Sequence, residues 1–205
     1  MQKKEDLKNT YNKIAEHFDA TRQNIWKETG MLFEKLKENS LVLDLASGTG
    51  RHALYAKKKG HNCVCSDFSQ KQILQARKKD RNMSCVLSDL LKSPFKKETF
   101  DAILYIAAIH HIKTEKERIE SLDETKRVLK PNGLVLVSTW SLDAPKFKKE
   151  KITKKDVILT WDKKYPRYYH LFSSGELEEL VKKSGLNVIK TKQTNSNFWV
   201  LAKKS

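Results

Sequence analysis

The run Leu41-Val-Leu-Asp-Leu45, followed at once by Ala46-Ser-Gly-Thr-Gly50, constrains this chain most. A short apolar stretch broken by one acid suits a buried strand, and the glycine-containing turn behind it predicts a tight return into a helix. That helix is expected to run to about Lys59 and stop at Gly60. The same alternation then repeats. Residues 62–66 read as a strand, and Ser69 with Gln72 reads as a capping box opening a helix to Lys79. Residues 84–87 and 102–106 read as strands. A second capping box, Thr114 with Glu117, opens a helix that Pro131-Asn-Gly133 ends, and residues 134–139 form a strongly apolar strand. Strand–helix alternation over five units predicts an α/β domain with a mostly parallel sheet covered on both faces.

The flanks read differently. Leu7, Tyr11, Ile14, Ala15 and Phe18 fall on one face of an N-terminal helix, and a shorter helical stretch runs from Trp26 to Leu36. Residues 143–165 are rich in lysine and are expected to be an irregular loop or small insertion. Ser173 with Glu176 is expected to cap a last helix ending at Gly185. Strands at 186–191 and 197–202 then flank Gln193-Thr-Asn-Ser196 as an antiparallel hairpin.

A chain of 205 residues is one domain by length. No apolar run approaches the ~20 residues that span a bilayer, and no apolar stretch follows the basic start, so neither a membrane protein nor a signal peptide is expected. The three cysteines, Cys63, Cys65 and Cys85, lie in expected strands. Their odd number points to a reducing, cytoplasmic or nuclear compartment, and no histidine pair at zinc-like spacing accompanies them, so buried thiols and no metal are expected. The net charge of +16 favours a polyanionic partner such as nucleic acid. The competing reading is a solvated lysine-rich surface, since the excess is mostly lysine.

In open α/β sheets ligands bind beyond the carboxyl ends of the strands, at the switch point. Gly48 and Gly50 let the backbone approach a ligand closely there. Asp44 ends the first strand. It is expected to point to the same mouth as the glycines, where it disfavours a pyrophosphate and favours a ligand carrying ammonium and sulfonium charge, such as S-adenosylmethionine. Asp67 ends the second strand, where it can accept both ribose hydroxyls. Asp89 follows the third strand, where its carboxylate can meet the adenine amino group beside the Leu90 amide.

On these residues the chain resembles the class I S-adenosylmethionine-dependent methyltransferases, with alanine at Ala46 where glycine is usual. The resemblance implies a Rossmann-like, mostly parallel seven-stranded sheet ending in an antiparallel hairpin. It also adds Ala46, Phe68 and Ile106 to the expected cofactor contacts. Further segments carry a narrower likeness: Tyr11-Asn-Lys-Ile-Ala-Glu-His-Phe18 with Thr21-Arg22, Ile106-Ala-Ala-Ile-His-His-Ile112, and Arg167-Tyr-Tyr-His-Leu-Phe172. Together they resemble the tRNA wobble-uridine methyltransferases that esterify 5-carboxymethyluridine in the anticodon loop.

The chemistry agrees with that likeness. No Asn/Asp-Pro-Pro-aromatic run for exocyclic amines follows the fourth strand, and no cysteine is placed to attack a pyrimidine ring. A carboxylate acceptor is already ionised at neutral pH and needs no general base. Arg22, Arg167, Tyr168, Tyr169 and His170 have the chemistry to hold it, with core packing as the alternative for the tyrosines. His110 is expected to orient acceptor or cofactor, and His111 to be structural. Trp26, Trp140 and Trp161 either stack on a base or pack, and Trp199 packs.

The resemblance further implies a tRNA anticodon loop as partner and a small zinc-binding activator subunit docked beside the third strand as a heterodimer. It casts residues 1–38 as a helical lid and 143–170 as a substrate-side insertion. A small-molecule O-methyltransferase and a non-catalytic adaptor with a vestigial pocket are the alternatives, and a nicotinamide dehydrogenase is disfavoured by Asp44 and the final hairpin.

Overall fold

The computed structural model describes residues 4–205, so the first three residues of the expected lid lie outside it. Strands β1 (Leu41–Leu45), β2 (Asn62–Asp67), β3 (Ser84–Leu87), β4 (Phe100–Ile106), β5 (Leu129–Trp140), β8 (Asn187–Gln193) and β9 (Asn197–Lys203) form one sheet in the order β3-β2-β1-β4-β5-β9-β8. The first five strands pair in parallel, and β9 enters antiparallel between β5 and β8. The order reverses between β1 and β4, which leaves the crevice expected of a doubly wound sheet.

Alternation along the central strands sends side chains to two cores. Leu43, Leu45, Ile103, Val135 and Val137 bury one face against α5 (Glu115–Val128) and α7 (Glu176–Lys183). Val42, Ala102, Leu104 and Leu136 bury the other with Leu32 of α2 (Gly30–Phe33), Ala53 and Ala56 of α3 (Arg51–Lys58), and Ile73 and Ala76 of α4 (Gln70–Lys79). Trp199 is buried in this second core, as its position on a strand implies. Among the described residues no helix is long and apolar enough to cross a membrane. All three cysteines are free, with Cys63 and Cys65 buried.

Residues 143–165 are not irregular. They hold the helix α6 (Pro145–Lys149) and the strand β6 (Asp156–Trp161), which pairs antiparallel with β7 (Tyr165–His170) in a separate two-stranded sheet. Val157 and Leu159 alternate toward Phe147, Tyr169 and Leu171 in a small third core. The exposed lysines around them obscure that two-residue period.

Local signals fare unevenly. Thr114 and Glu117 complete their capping box. Ser69 accepts from the Gln72 amide, but the Gln72 side chain donates to the Tyr11 carbonyl instead of reaching back. Glu176 accepts the Ser173 N–H, yet the residue that caps α7 is Gly175, at φ 79°. Helix α5 ends at Val128, before Pro131, because Leu129 already pairs with Phe100 in the sheet.

Candidate cofactor and acceptor site

Helix α1 (Lys4–Thr21) lies across the carboxyl end of the sheet and roofs a cavity of about 320 Å³. The floor comes from the turn after β1, the ends of β2 and β4, and the loop after β3. The cavity is lined by Ala46, Gly48, Asp67, Phe68, Asp89, Leu90 and Ile106, seven of the nine positions expected to meet a cofactor.

Gly48 has φ +55°, and a Cβ there would stand 3.3 Å from the Phe18 ring, so side-chain-free backbone forms this wall. Ala46 takes φ 55° as an alanine, a conformation that glycine at this position would adopt more cheaply. Asp67 accepts from the Gly48 N–H and the Ser69 N–H, both at 2.9 Å, and thereby ties the glycine turn to the end of β2. Burial raises its pKa to about 6, against the pull of those amides. Asp89 is paired with Lys4 of α1 and accepts from the Leu91 N–H at 2.9 Å.

The other two expected cofactor positions sit elsewhere. Asp44 does not face the mouth. It is 1% exposed beneath the turn, where it accepts the Ala53 N–H of α3 at 3.0 Å. Burial pushes its pKa up to about 7. Its register on β1 aims it at α3, so it braces the turn from below. Gly50, at φ +74°, faces the core: a Cβ there would meet Ala76 at 3.0 Å and Cys65 Sγ at 3.2 Å. The mouth's acids are therefore Asp67, Asp89 and Glu117.

The two histidines after β4 exchange their expected places. His110 is buried behind the cavity, packed on Trp140 and Tyr169, with Nδ1 3.3 Å from the Thr139 hydroxyl. His111 lines the cavity. Its Nδ1 lies 2.7 Å from the Tyr168 carbonyl, which can only accept, so Nδ1 carries the proton. Burial lowers the pKa of this ring to about 3, so Nε2 is a bare acceptor, and the Tyr11 hydroxyl donates to it at 2.7 Å. The reversal follows from a 3-10 turn at Ile109–His111, which rotates successive side chains to different sides.

Behind Tyr11 stands a buried cation. Arg167 is 7% exposed, and its guanidinium lies over Trp161 (5.0 Å), Tyr169 (5.2 Å) and Tyr11 (6.0 Å). Arg22 lies 5.0 Å from the same Trp161 ring. Neither arginine has a carboxylate within ion-pair distance among the described residues, and Arg167 Nε is buried without a hydrogen-bond partner. Tyr168 lines the cavity; its hydroxyl donates to Asp156 and lies 3.3 Å from the Lys113 carbonyl. His170 is not brought to the site. It bonds Asp156 at 2.9 Å and Glu176 at 2.7 Å, tying β7 to α7. Trp140 stacks on Tyr169 at 4.7 Å, and Trp26 packs edge-on to Trp199, so both serve packing.

In the sequence Tyr11 and Phe18 stand on an apolar helix face and within a segment of the family likeness, with no site role of their own, and His111 is expected to be structural. The signal available was an aromatic pair with a hydroxyl on a helix outside the βα repeat. The cavity's lining has the chemistry an adenosyl amino acid requires: a carboxylate at the end of β2, apolar walls from Phe68, Leu90 and Ile106, and an open glycine backbone. Among the described residues no cluster of His, Cys, Asp or Glu is arranged to hold a metal.

Residues 43–137 match the family model described as "Methyltransferase domain". The chain is 28% identical over 220 aligned positions to the tRNA (carboxymethyluridine(34)-5-O)-methyltransferase of Schizosaccharomyces pombe, covering 95% of this chain and 94% of that protein. It is 30% identical to an Encephalitozoon cuniculi protein named as a methyltransferase, covering 87% and 86%. Against human probable tRNA methyltransferase 9B it is 30% identical but spans only 34% of that protein's length. Two solved structures share the fold. One is a Burkholderia thailandensis 1,6-didemethyltoxoflavin-N1-methyltransferase with S-adenosylhomocysteine bound (TM-score 0.76, 17% identity, 98% of this chain and 88% of that one). The other is a Haloferax volcanii methyltransferase in complex with the Trm112 methyltransferase activator (TM-score 0.73, 14% identity, 96% of each chain).

Proposed function

The chain belongs to the methyltransferase-domain family, and from that premise we propose that it esterifies the carboxylate of 5-carboxymethyluridine at the wobble position of a tRNA anticodon. The observation that carries the acceptor is the buried guanidinium of Arg167, whose Nε has no hydrogen-bond partner and which no carboxylate meets within ion-pair distance among the described residues. A buried guanidinium with no direct ion pair has room for one carboxylate against it, and an acceptor carboxylate supplies that partner.

S-adenosylmethionine, when bound, supplies an electrophilic methyl group on a sulfonium leaving group. Asp67 would hold the ribose hydroxyls, Phe68 and Leu90 would flank the adenine, and Asp89 would meet its amino group. Ile106 and Gly48 shape the wall beside the amino-acid tail. Arg167 and Arg22 would bind and orient the acceptor carboxylate. No residue is asked to remove a proton, since the carboxylate is ionised already. This agrees with His111, whose one free nitrogen is occupied by Tyr11. Its part is to hold Tyr11 against the acceptor side. Roofing by α1 keeps water off the charges, so alignment is the main contribution, up to ~7–11 kcal/mol in favourable systems.

A small zinc-binding activator subunit is part of the same reading. Strand β3 is an edge of the sheet, and Leu87 on it is 54% exposed. Such an edge is suited to strand addition. The chain expressed alone should then be poorly soluble, and co-expression with an activator should restore solubility.

The test is methyl transfer to tRNA from cells lacking the enzyme, read by nucleoside mass spectrometry. The methyl ester of carboxymethyluridine should form and should be lost on mild alkaline treatment. Arg167→Ala should cut turnover on tRNA at least tenfold and leave S-adenosylhomocysteine affinity within twofold. Methylation at a ring or amine position, stable to alkali, would reject the reading.

A further inference from the structure

We propose that the lysine strip formed by α6, the segment behind it and the β6–β7 turn is the docking surface for the phosphate backbone of an RNA. The inference rests on the functional reading above and assigns a surface to it. Eight lysines and three acids stand between residues 146 and 164. Lys146, Lys149, Lys151, Lys154, Lys163 and Lys164 are exposed. None of these six has an ion-pair partner among the described residues. Two of the three acids are already engaged: Asp156 by Tyr168 and His170, and Asp162 by His17.

Elsewhere many cations are matched within the fold. Lys57 pairs with Asp80, Lys79 with Asp19, Lys130 with Asp101, and Lys183 with Glu115. A strip of like charges left uncompensated repels itself, and a polyanion relieves that repulsion.

Position selects this strip over other unpaired lysines. Phe147 of α6 packs on Trp140 at the end of β5. Strand β7 supplies Tyr168 to the cavity, and Trp161, just before the β6–β7 turn, carries both Arg22 and Arg167. The strip therefore begins beside the cations assigned to the acceptor, so a strand lying along it would present one nucleotide to the cavity. Lys35, Lys37 and Lys58 are also exposed and unpaired among the described residues, but they lie near the opposite end of the sheet, beyond the starts of β1 and β2. An anionic membrane fits less well. Helix α6 has only five residues, too few to present an apolar face.

The test is fluorescence anisotropy with a labelled synthetic anticodon stem-loop RNA over a salt series. It compares the wild type with K149Q/K154Q/K163Q and with the charge-matched control K35Q/K37Q/K58Q. Each lost phosphate contact lowers the slope of log K against log salt by about 0.7–0.9. The strip variant should lose about two in slope and at least tenfold in affinity at low salt, and the control should stay within twofold. Unchanged S-adenosylhomocysteine affinity in both variants reports that they fold. Equal losses in the two variants would mean a diffuse field and overturn the surface. Full RNA binding by the strip variant would overturn the surface while leaving the functional reading standing. A wild type that binds no RNA would remove both. Loss of binding to phosphatidylserine vesicles with RNA binding intact would also overturn the assignment.

Discussion

Asp67 holds the glycine turn and faces the cavity with a carboxylate whose ionisation falls within an ordinary titration. Burial raises its pKa to about 6 in spite of amide hydrogen bonds from Ser69 and Gly48. Two ribose hydroxyls would donate most strongly to the ionised form, because protonation turns one acceptor oxygen into a donor. The sign follows: cofactor affinity is full above the folded pKa and falls as pH drops through it. With a pKa of about 6, the ionised fraction is roughly nine-tenths at pH 7 and one-tenth at pH 5. The dissociation constant should therefore rise about tenfold across that interval, about 1.4 kcal/mol. Calorimetry with S-adenosylhomocysteine from pH 5 to 8 measures it. Asp67→Asn should bind weakly at every pH and without the slope. Asp44→Asn should keep the slope, because Asp44 faces the Ala53 N–H and not the cavity. A flat wild-type profile, or a slope that survives in Asp67→Asn, would refute the assignment of Asp67 to the ribose.

Three other perturbations separate bracing from binding. Asp44 has a folded pKa raised to about 7 by burial, so its contribution is most favourable below the unfolded value near 4 and is lost as pH rises through 7. Asparagine can still accept from Ala53, so the stability of Asp44→Asn relative to wild type should grow from pH 5 to 8, by at most about 3 kcal/mol. A pH-independent difference in melting temperature would contradict this. Gly50→Ala meets a positive φ and two contacts near 3 Å, and should cost about 2–4 kcal/mol in urea unfolding. Gly60→Ala, at φ +85° with open space around it, should cost only the backbone share of about 1 kcal/mol. Equal costs would remove the packing argument. His170→Ala should lose about 1–3 kcal/mol of stability by freeing β7 from α7, with cofactor affinity unchanged. A fall in tRNA turnover without loss of stability would return His170 to the site.

The order of elements and most of the cavity wall were legible from the chain alone. Strand periodicity, the glycine turn and an acid at a strand end are local signals, and a parallel α/β sheet leaves few ways to connect them. Gly48, Asp67, Phe68, Asp89, Leu90 and Ile106 all reach the cavity because each stands at or just beyond a strand's carboxyl end. Direction was not legible. Whether Asp44 looks up at a ligand or sideways at α3 depends on one step of strand register, and whether His110 or His111 meets the cavity depends on one turn of 3-10 helix. Nor did spacing reveal that Tyr11, Trp161 and Arg167, far apart in sequence, enclose one buried cation. Local sequence set which elements form, since propensity and periodicity act over a few residues. Packing of α1 and the β6–β7 sheet over the strand ends decided which side chains share the site, since that depends on contacts between distant segments.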